Sequence, residues 1–175
     1  MLTFVGAGTQ LIEEELKQLY PDTQVLRMDT DTVKAAGSHD VLLNKFKNEK
    51  IPIMVGTQMV TKGLNFENVT LIGVVSADQS LYCGDYRSGE RTFSLITQVI
   101  GRSGRGSKPG RAIIQTFTPQ NEIIRLAAQQ DYESFFKTEL SLRRLQDTPP
   151  FADIIAITAS GTVESTVIKC CTDIC

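Results

Sequence analysis

Two arginines lie three residues apart in a glycine-rich segment, Gln98-Val99-Ile100-Gly101-Arg102-Ser103-Gly104-Arg105-Gly106. Glycine leaves room for a ligand beside the backbone, and each guanidinium presents a planar fork of donors that fits phosphate oxygens. No acidic residue occurs between Thr92 and Gln120, so Arg102 and Arg105 have no carboxylate nearby in the sequence. The pattern indicates a site for nucleotide phosphates, and capping of a helix carboxyl end is the alternative role for these arginines.

A second candidate phosphate site is the segment Gly56-Thr57-Gln58-Met59-Val60-Thr61-Lys62-Gly63-Leu64-Asn65-Phe66, which follows a predicted strand. Parallel sheets bind their ligands at the carboxyl ends of strands. Thr57 and Thr61 supply hydroxyls, Lys62 supplies a cation and Gly63 a flexible backbone, all of which occur in phosphate contacts. An ordinary polar surface loop is the alternative.

A third candidate is the turn Gly6-Ala7-Gly8, which joins a predicted strand to a predicted helix. Asp29 ends the following strand, where a dinucleotide-binding fold places its ribose-binding acid. Leu11 holds the position of that fold's third glycine, so a tight strand-to-helix turn is the favoured interpretation. Free amides at the helix start still suit an anion, including a phosphate of nucleic acid.

The chain alternates short apolar runs with segments of helical periodicity, which predicts βαβ units and a mainly parallel sheet. Val69–Val75 is apolar throughout, as expected of a strand covered on both faces. The predicted strands are Leu2–Val5, Val25–Met28, Ile51–Val55, Val69–Val75 and Ala112–Phe117. The predicted helices are Leu11–Leu19, Val41–Lys47, Ser88–Ile100 and a long region from Pro119 to Leu145, and the tail predicts a strand at Ile154–Thr158 with Val167–Ile174 pairing back on it.

Composition limits the classes of protein that fit. The 175 residues carry a net charge of −2, with 41% hydrophobic and 22% charged residues, which excludes a disordered or collagen-like chain. Bulk charge does not attract nucleic acid, so such affinity requires a local patch. Four cysteines and the single His39 show no zinc-ligand spacing, which predicts no metal site and a reduced, intracellular protein. No signal peptide or membrane span is predicted.

At the level of motifs, Gln98–Arg105 resembles motif VI of the superfamily 2 helicases, Q-x-x-G-R-x-G-R, and Gly56–Gly63 resembles their motif V. Within that superfamily, the chain is most similar to the primosomal replication-restart helicases. The blocks that carry this similarity are Gly8-Thr9, Glu13–Leu16, Arg27–Thr32, Gly56–Met59, Asp85–Arg91, Leu142–Arg144 and Pro149–Phe151.

This resemblance implies a RecA-like P-loop NTPase-type α/β lobe with helices on both faces of the sheet. Residues 1–148 would be the second helicase lobe, and 149–175 the start of a truncated C-terminal domain. The sequence contains neither G-x-x-x-x-G-K-[ST] nor D-E-x-H. ATP and magnesium would therefore be shared with a first lobe upstream, the family's zinc site would also lie upstream, and the fragment alone is expected to be inactive.

By the same resemblance, Arg105 would be the arginine finger of a 3′-to-5′ DNA helicase, and Arg102 its partner on the phosphates. The implied ATP-binding residues are Gln98, Gly63, Asn65 and Gly101. The implied DNA-binding residues are Gly8, Thr9, Thr57, Gln58 and Lys62. The implied partners are single-stranded and forked DNA, the first lobe and primosome proteins, in the bacterial cytoplasm and away from membranes.

Two alternatives stay open. The first is a non-catalytic module that binds a dinucleotide or a protein. A nicotinamide-binding module does not require the arginine motif Gln98–Arg105, which argues against this alternative. The second is a lobe of another superfamily 2 helicase, such as a branch-migration enzyme, against which the blocks Arg27–Thr32 and Asp85–Arg91 argue. Asp78, after the fourth strand, is expected either to order the loop between motifs V and VI or to cap a helix.

Overall fold

The computed structural model describes residues 8–57, 69–102 and 109–174. The chain divides into two compact units, Met1–Phe136 and Lys137–Cys175. The strands in the described ranges are β1 (Val25–Met28), β2 (Ile53–Gly56), β3 (Leu71–Val74) and β4 (Arg111–Ile114). The helices there are α1 (Thr9–Leu19), α2 (Thr30–Ala36), α3 (His39–Asn48), α4 (Asp78–Leu81), α5 (Ser88–Ile100), α6 (Glu122–Gln129), α7 (Tyr132–Leu145) and α8 (Glu164–Ile174).

Both strand pairs in the described ranges are parallel. β1 pairs with β2, with Met28 opposite Gly56, and β3 pairs with β4, with Leu71 opposite Arg111. Parallel neighbours need a crossover connection, and helices supply it in both pairs. This arrangement confirms the predicted α/β class. The predicted strand Leu2–Val5 lies outside the described residues.

Local sequence features explain where α1 ends and where α2 begins. α1 stops at Leu19, just before Pro21, which cannot continue a helix. Asp29 caps α2 by accepting a hydrogen bond from the Thr32 backbone N–H, while the Thr32 hydroxyl bonds the Asp29 backbone in return. This reciprocal capping box starts α2 directly at the carboxyl end of β1.

The described residues of the first unit form two apolar cores. One surrounds the fully buried Met28 of β1, and the other surrounds Phe93 and Ile96 of α5. The Phe93 ring stacks on that of Phe135 with centroids 4.0 Å apart, and the buried Thr92 donates its hydroxyl to the Ser88 carbonyl at 2.8 Å. The ring contact packs α5 against α7. The predicted span of α5 is confirmed.

Three predictions about the strands and helices are wrong. β3 is not covered on both faces, because Leu71 is 59% exposed. The region predicted as one long helix is interrupted at Gln130, whose φ of 57° is left-handed and ends α6 before α7 begins. No strand forms at 154–158, and α8 replaces the predicted returning strand.

The helical outcome for the last segment has a local cause. Val167, Cys170, Cys171 and Ile174 recur at spacings of three and four, which is the helical period, and Glu164 suits the positive end of a helix. A lone hairpin would also have lacked further strands to support it. The predicted domain boundary between residues 148 and 149 stays a prediction.

Candidate nucleotide and nucleic-acid contact sites

The described part of the motif VI segment lies at the carboxyl end of α5. Gln98 is exposed on the last turns, where its Nε2 donates to Ser94 Oγ at 2.8 Å. The Gly101 N–H donates to the Thr97 carbonyl at 2.9 Å, and the Arg102 N–H donates to the Val99 carbonyl at 3.0 Å. The helix therefore brings Gln98, Gly101 and Arg102 together in one turn.

Glycine is favoured at position 101 because there is little room for a side chain, and not because of its backbone conformation. Its φ of −64° is open to any residue. A Cβ at this position would lie 3.2 Å from the Thr97 carbonyl oxygen, which is tighter than ordinary contact. Glycine thus lets the chain turn closely over the end of α5. Arg105, four residues further on, lies outside the described residues.

Gly8 and Thr9 begin α1 next to the end of β1. The Thr9 hydroxyl donates to Asp29 Oδ2 at 2.7 Å, and Gly8 caps the helix through backbone alone, with no side-chain bond. Asp29 Oδ1 accepts from the Thr32 backbone, and Oδ2 lies 3.1 Å from Arg27 Nε. Both Asp29 oxygens are engaged within the protein, which argues against ribose binding by Asp29. Gly6 and Ala7 of the predicted turn lie outside the described residues.

Thr57 follows β2 directly and is exposed. Since Gly56 pairs with Met28, Thr57 lies at the same sheet edge as Asp29 and the start of α1. The structure thus brings Thr9 and Thr57 to the carboxyl ends of neighbouring strands. The other predicted residues of this loop, Gln58, Lys62, Gly63 and Asn65, lie outside the described residues.

The two sets of predicted residues lie beside different strand pairs. α5 starts after the carboxyl end of β3 and runs back toward the amino end of β4. Its 13 residues span about 20 Å. Gln98 to Arg102 therefore lie toward the amino end of β4, whereas Thr9 and Thr57 lie at the carboxyl ends of β1 and β2.

Asp78 has hydrogen-bond partners that the sequence did not identify. Its carboxylate accepts hydrogen bonds from the Thr116 hydroxyl at 2.9 Å, the Phe117 N–H at 2.9 Å and the Thr118 hydroxyl at 2.6 Å. The N-cap of α4 is Ala77, so Asp78 does not cap that helix. It instead ties α4 to the turn after β4, and the paired threonines of that turn were the available signal.

Hydrogen bonding lowers the pKa of two of these carboxyls. The Thr32 backbone N–H is the largest influence on Asp29 and lowers its pKa, with help from Thr9 and from the Arg27 charge. Burial alone would raise the pKa of Asp78, but its bonds to Thr118, Phe117 and Thr116 together outweigh that effect and lower it.

Acid is therefore expected to destabilise the first unit. A carboxyl whose pKa is lower in the folded state stabilises the fold above its unfolded pKa of about 4. That stability disappears as the pH falls from about 4 through the lower folded pKa values of Asp29 and Asp78. Urea unfolding at steps from pH 7 to pH 2.5 measures it, with the double variant Asp29→Asn, Asp78→Asn as control. The variant should lose less stability on acidification, and equal losses would contradict the assignment.

Comparison with known proteins agrees with this geometry. The model of the helicase conserved C-terminal domain matches residues 2–107, more than half of the chain. The chain belongs to this family. The family has the RecA-like α/β lobe fold, so the predicted fold class is confirmed.

Several relatives bear the name replication restart protein PriA. The chain is 49% identical over 159 residues to that of Bacillus subtilis, covering 91% of the chain and 20% of the relative. It is 44% identical over 168 residues to that of Synechocystis (96% and 20%) and 38% identical over 172 residues to that of Rickettsia conorii (98% and 26%). The chain spans about a fifth to a quarter of the length of these curated relatives.

Two features are absent from the residues that the structure describes. No helix there is long and apolar enough to cross a membrane. In the same ranges, no group of three or more His, Cys, Asp and Glu side chains could hold a metal ion. Cys83, Cys170 and Cys171 are exposed and form no disulfide.

Proposed function

We propose that this chain is the second motor lobe of an ATP-dependent 3′-to-5′ DNA helicase that acts in replication restart. Membership of the helicase C-terminal family and similarity to proteins named for replication restart support it. The observation that carries it is the end of α5, where Gln98, Gly101 and Arg102 share one turn. Arg105 follows in the sequence at the spacing of motif VI.

On the nucleotide side, the donor set fits phosphate. An exposed amide at Gln98 and the guanidinium of Arg102 are hydrogen-bond donors, and Thr92–Gln120 contains no carboxylate that could hold magnesium. Arg102, Arg105, Gln98 and the backbone at Gly101 would hold the phosphates, with Gly63 and Asn65 beside the nucleotide. Magnesium would be held by the first lobe, and ATP would supply the energy for movement along DNA.

On the DNA side, the geometry specifies which groups donate. The Thr9 hydroxyl already donates its hydrogen to Asp29. A DNA phosphate at the start of α1 would therefore bind the free backbone amides of the first turn, beside Gly8, rather than that hydroxyl. Thr57, which is exposed, together with Gln58 and Lys62 would hold the next part of the backbone.

The proposed partners follow from the same function. They are single-stranded and forked DNA, a first helicase lobe and primosome proteins. The proposed location is the bacterial cytoplasm.

The chain is expected to bind single-stranded DNA weakly and with a shallow salt dependence. Because Lys62 is the one cation among these proposed contacts, the slope of log K against log salt should be about −1. Thr57→Ala removes one proposed contact and should weaken binding about fivefold. Fluorescence anisotropy with a labelled oligothymidylate, titrated at several salt concentrations, measures both values.

Thr162→Ala is the matched control for this titration. Thr162 is also exposed but lies in the second unit, so its loss should leave affinity unchanged. Tight binding that ignores salt, or equal effects of the Thr57 and Thr162 substitutions, would contradict the proposed DNA contacts.

A further inference from the structure

The loop between α4 and α5, residues 82–87, presents two aromatic rings and a guanidinium. The Tyr82 side chain is 65% exposed. The exposed Arg87 lies over the Tyr86 ring, with Cζ 4.9 Å from the ring centroid, and its Nε donates to Tyr86 Oη at 2.7 Å. The ring thus holds the guanidinium in one orientation at the surface.

Hydrogen bonds and an ion pair hold the backbone of this loop in place. Asp85 Oδ1 accepts from the Arg87 N–H at 3.0 Å, and Asp85 Oδ2 pairs with Arg91 Nη1 at 2.8 Å. The Ser88 N–H donates to the Asp85 carbonyl at 2.9 Å, and the Ser88 side chain is buried. These bonds join the loop rigidly to the start of α5. Arg87 therefore loses little conformational freedom when it binds a ligand.

The chemistry of Arg87 suits a phosphate. Its Nε is used by Tyr86, but its terminal amino groups bond no acceptor among the residues that the structure describes. The charge of Asp85 interacts with that of Arg87, but the Asp85 oxygens accept from the Arg91 side chain and from the Arg87 backbone N–H. The two terminal amino groups of Arg87 form a fork that fits phosphate oxygens, and Tyr82 of the same loop offers an exposed aromatic face on which a base can stack.

The place of the loop in the fold adds a second argument. The loop is joined to the carboxyl end of β3 through α4, and parallel sheets bind their ligands at the carboxyl ends of strands. It also lies at the opposite end of α5 from Arg102, so a DNA contact there would not compete with the proposed phosphate site.

We propose that residues 82–87 form a further contact with single-stranded DNA, in which Arg87 binds a backbone phosphate and Tyr82 stacks on a base. Tyr86 positions the Arg87 guanidinium. This inference rests on the proposed function but concerns a loop separate from Gly8, Thr9 and Thr57.

Anisotropy titrations of the 175-residue chain with an oligothymidylate test the contact. Arg87→Ala should weaken binding roughly ten- to hundredfold and flatten the salt slope by about 0.7. Arg87→Lys should recover the slope but only part of the affinity, because a point charge cannot reproduce the fork. Tyr82→Ala should weaken binding roughly five- to hundredfold with no change in slope. Lys47→Ala, which removes an exposed charge at the end of α3, should change neither value.

Photocrosslinking makes the test independent of any variant. An oligonucleotide containing 5-iododeoxyuridine, irradiated with the unaltered chain and mapped by mass spectrometry, should attach to Tyr82. Thermal melting of each variant confirms that it is folded. Normal DNA affinity of Arg87→Ala, or crosslinks only outside residues 82–87, overturns this inference. If Thr57→Ala still weakens DNA binding in that case, the proposed function stands. Absence of DNA binding by the unaltered chain overturns both.

Discussion

Replacing Arg105 by alanine, in a protein that joins this lobe to a first helicase lobe, is expected to lower ATP turnover by ~10³–10⁵. The proposed finger meets charge only while the γ-phosphoryl group transfers, so it lowers the barrier without tightening the ground state. ATP and DNA affinities should therefore stay nearly normal. Steady-state hydrolysis with saturating single-stranded DNA, together with equilibrium binding of each ligand, measures the separation.

Three further measurements decide between catalysis and a structural role for Arg105. Arg105→Lys should recover little turnover, because the planar fork is lost. Arg111→Ala removes the same charge from an exposed position in the same acid-free segment and should leave turnover near normal. If Arg105 instead caps the end of α5, alanine would cost about 1 kcal/mol or less of stability and hydrolysis would be unchanged. Melting curves recorded beside the kinetics distinguish these results.

The second large effect is expected at Asp29. Asp29→Ala should lower the free energy of unfolding by about 2–3 kcal/mol. The substitution removes the cap of α2, leaves the Thr9 hydroxyl without its acceptor and takes away one of the two carboxylates near Arg27. Arg27 Nε is buried and lies 3.1 Å from Asp29 Oδ2 without an aligned hydrogen bond, so this pair acts through charge. Urea unfolding at neutral pH measures the loss.

Asp31 provides the control for that experiment. It lies two residues further along, in the first turn of α2, and is exposed. Asp31→Ala removes the same charge and should change stability by about 0.5 kcal/mol or less. Asp29→Asn should fall between the two, because it keeps an acceptor for the cap but loses the charge beside Arg27. Equal urea midpoints for the alanine variants of Asp29 and Asp31 would show that the network is not stabilising.

The sequence by itself determined the elements whose signals are local. The spans of β1 and α5 match their predictions, since each is marked by short-range periodicity and by a turn at its end. The motif at Gln98–Arg105 placed Gln98, Gly101 and Arg102 on the end of a helix, because its residues are neighbours in the chain. The parallel pairing also followed, since helices separate the strands.

Tertiary structure decided what distant residues do for one another. Thr9 meets Asp29, and Asp78 meets Thr116 and Thr118, across 20 to 40 residues of chain. Such partners are brought together only when parallel pairing aligns the strand ends, and no local pattern encodes the match. For the same reason the tail was mispredicted: β-branched residues suit a strand only if another strand pairs with them, and without one the helical spacing of α8 prevailed.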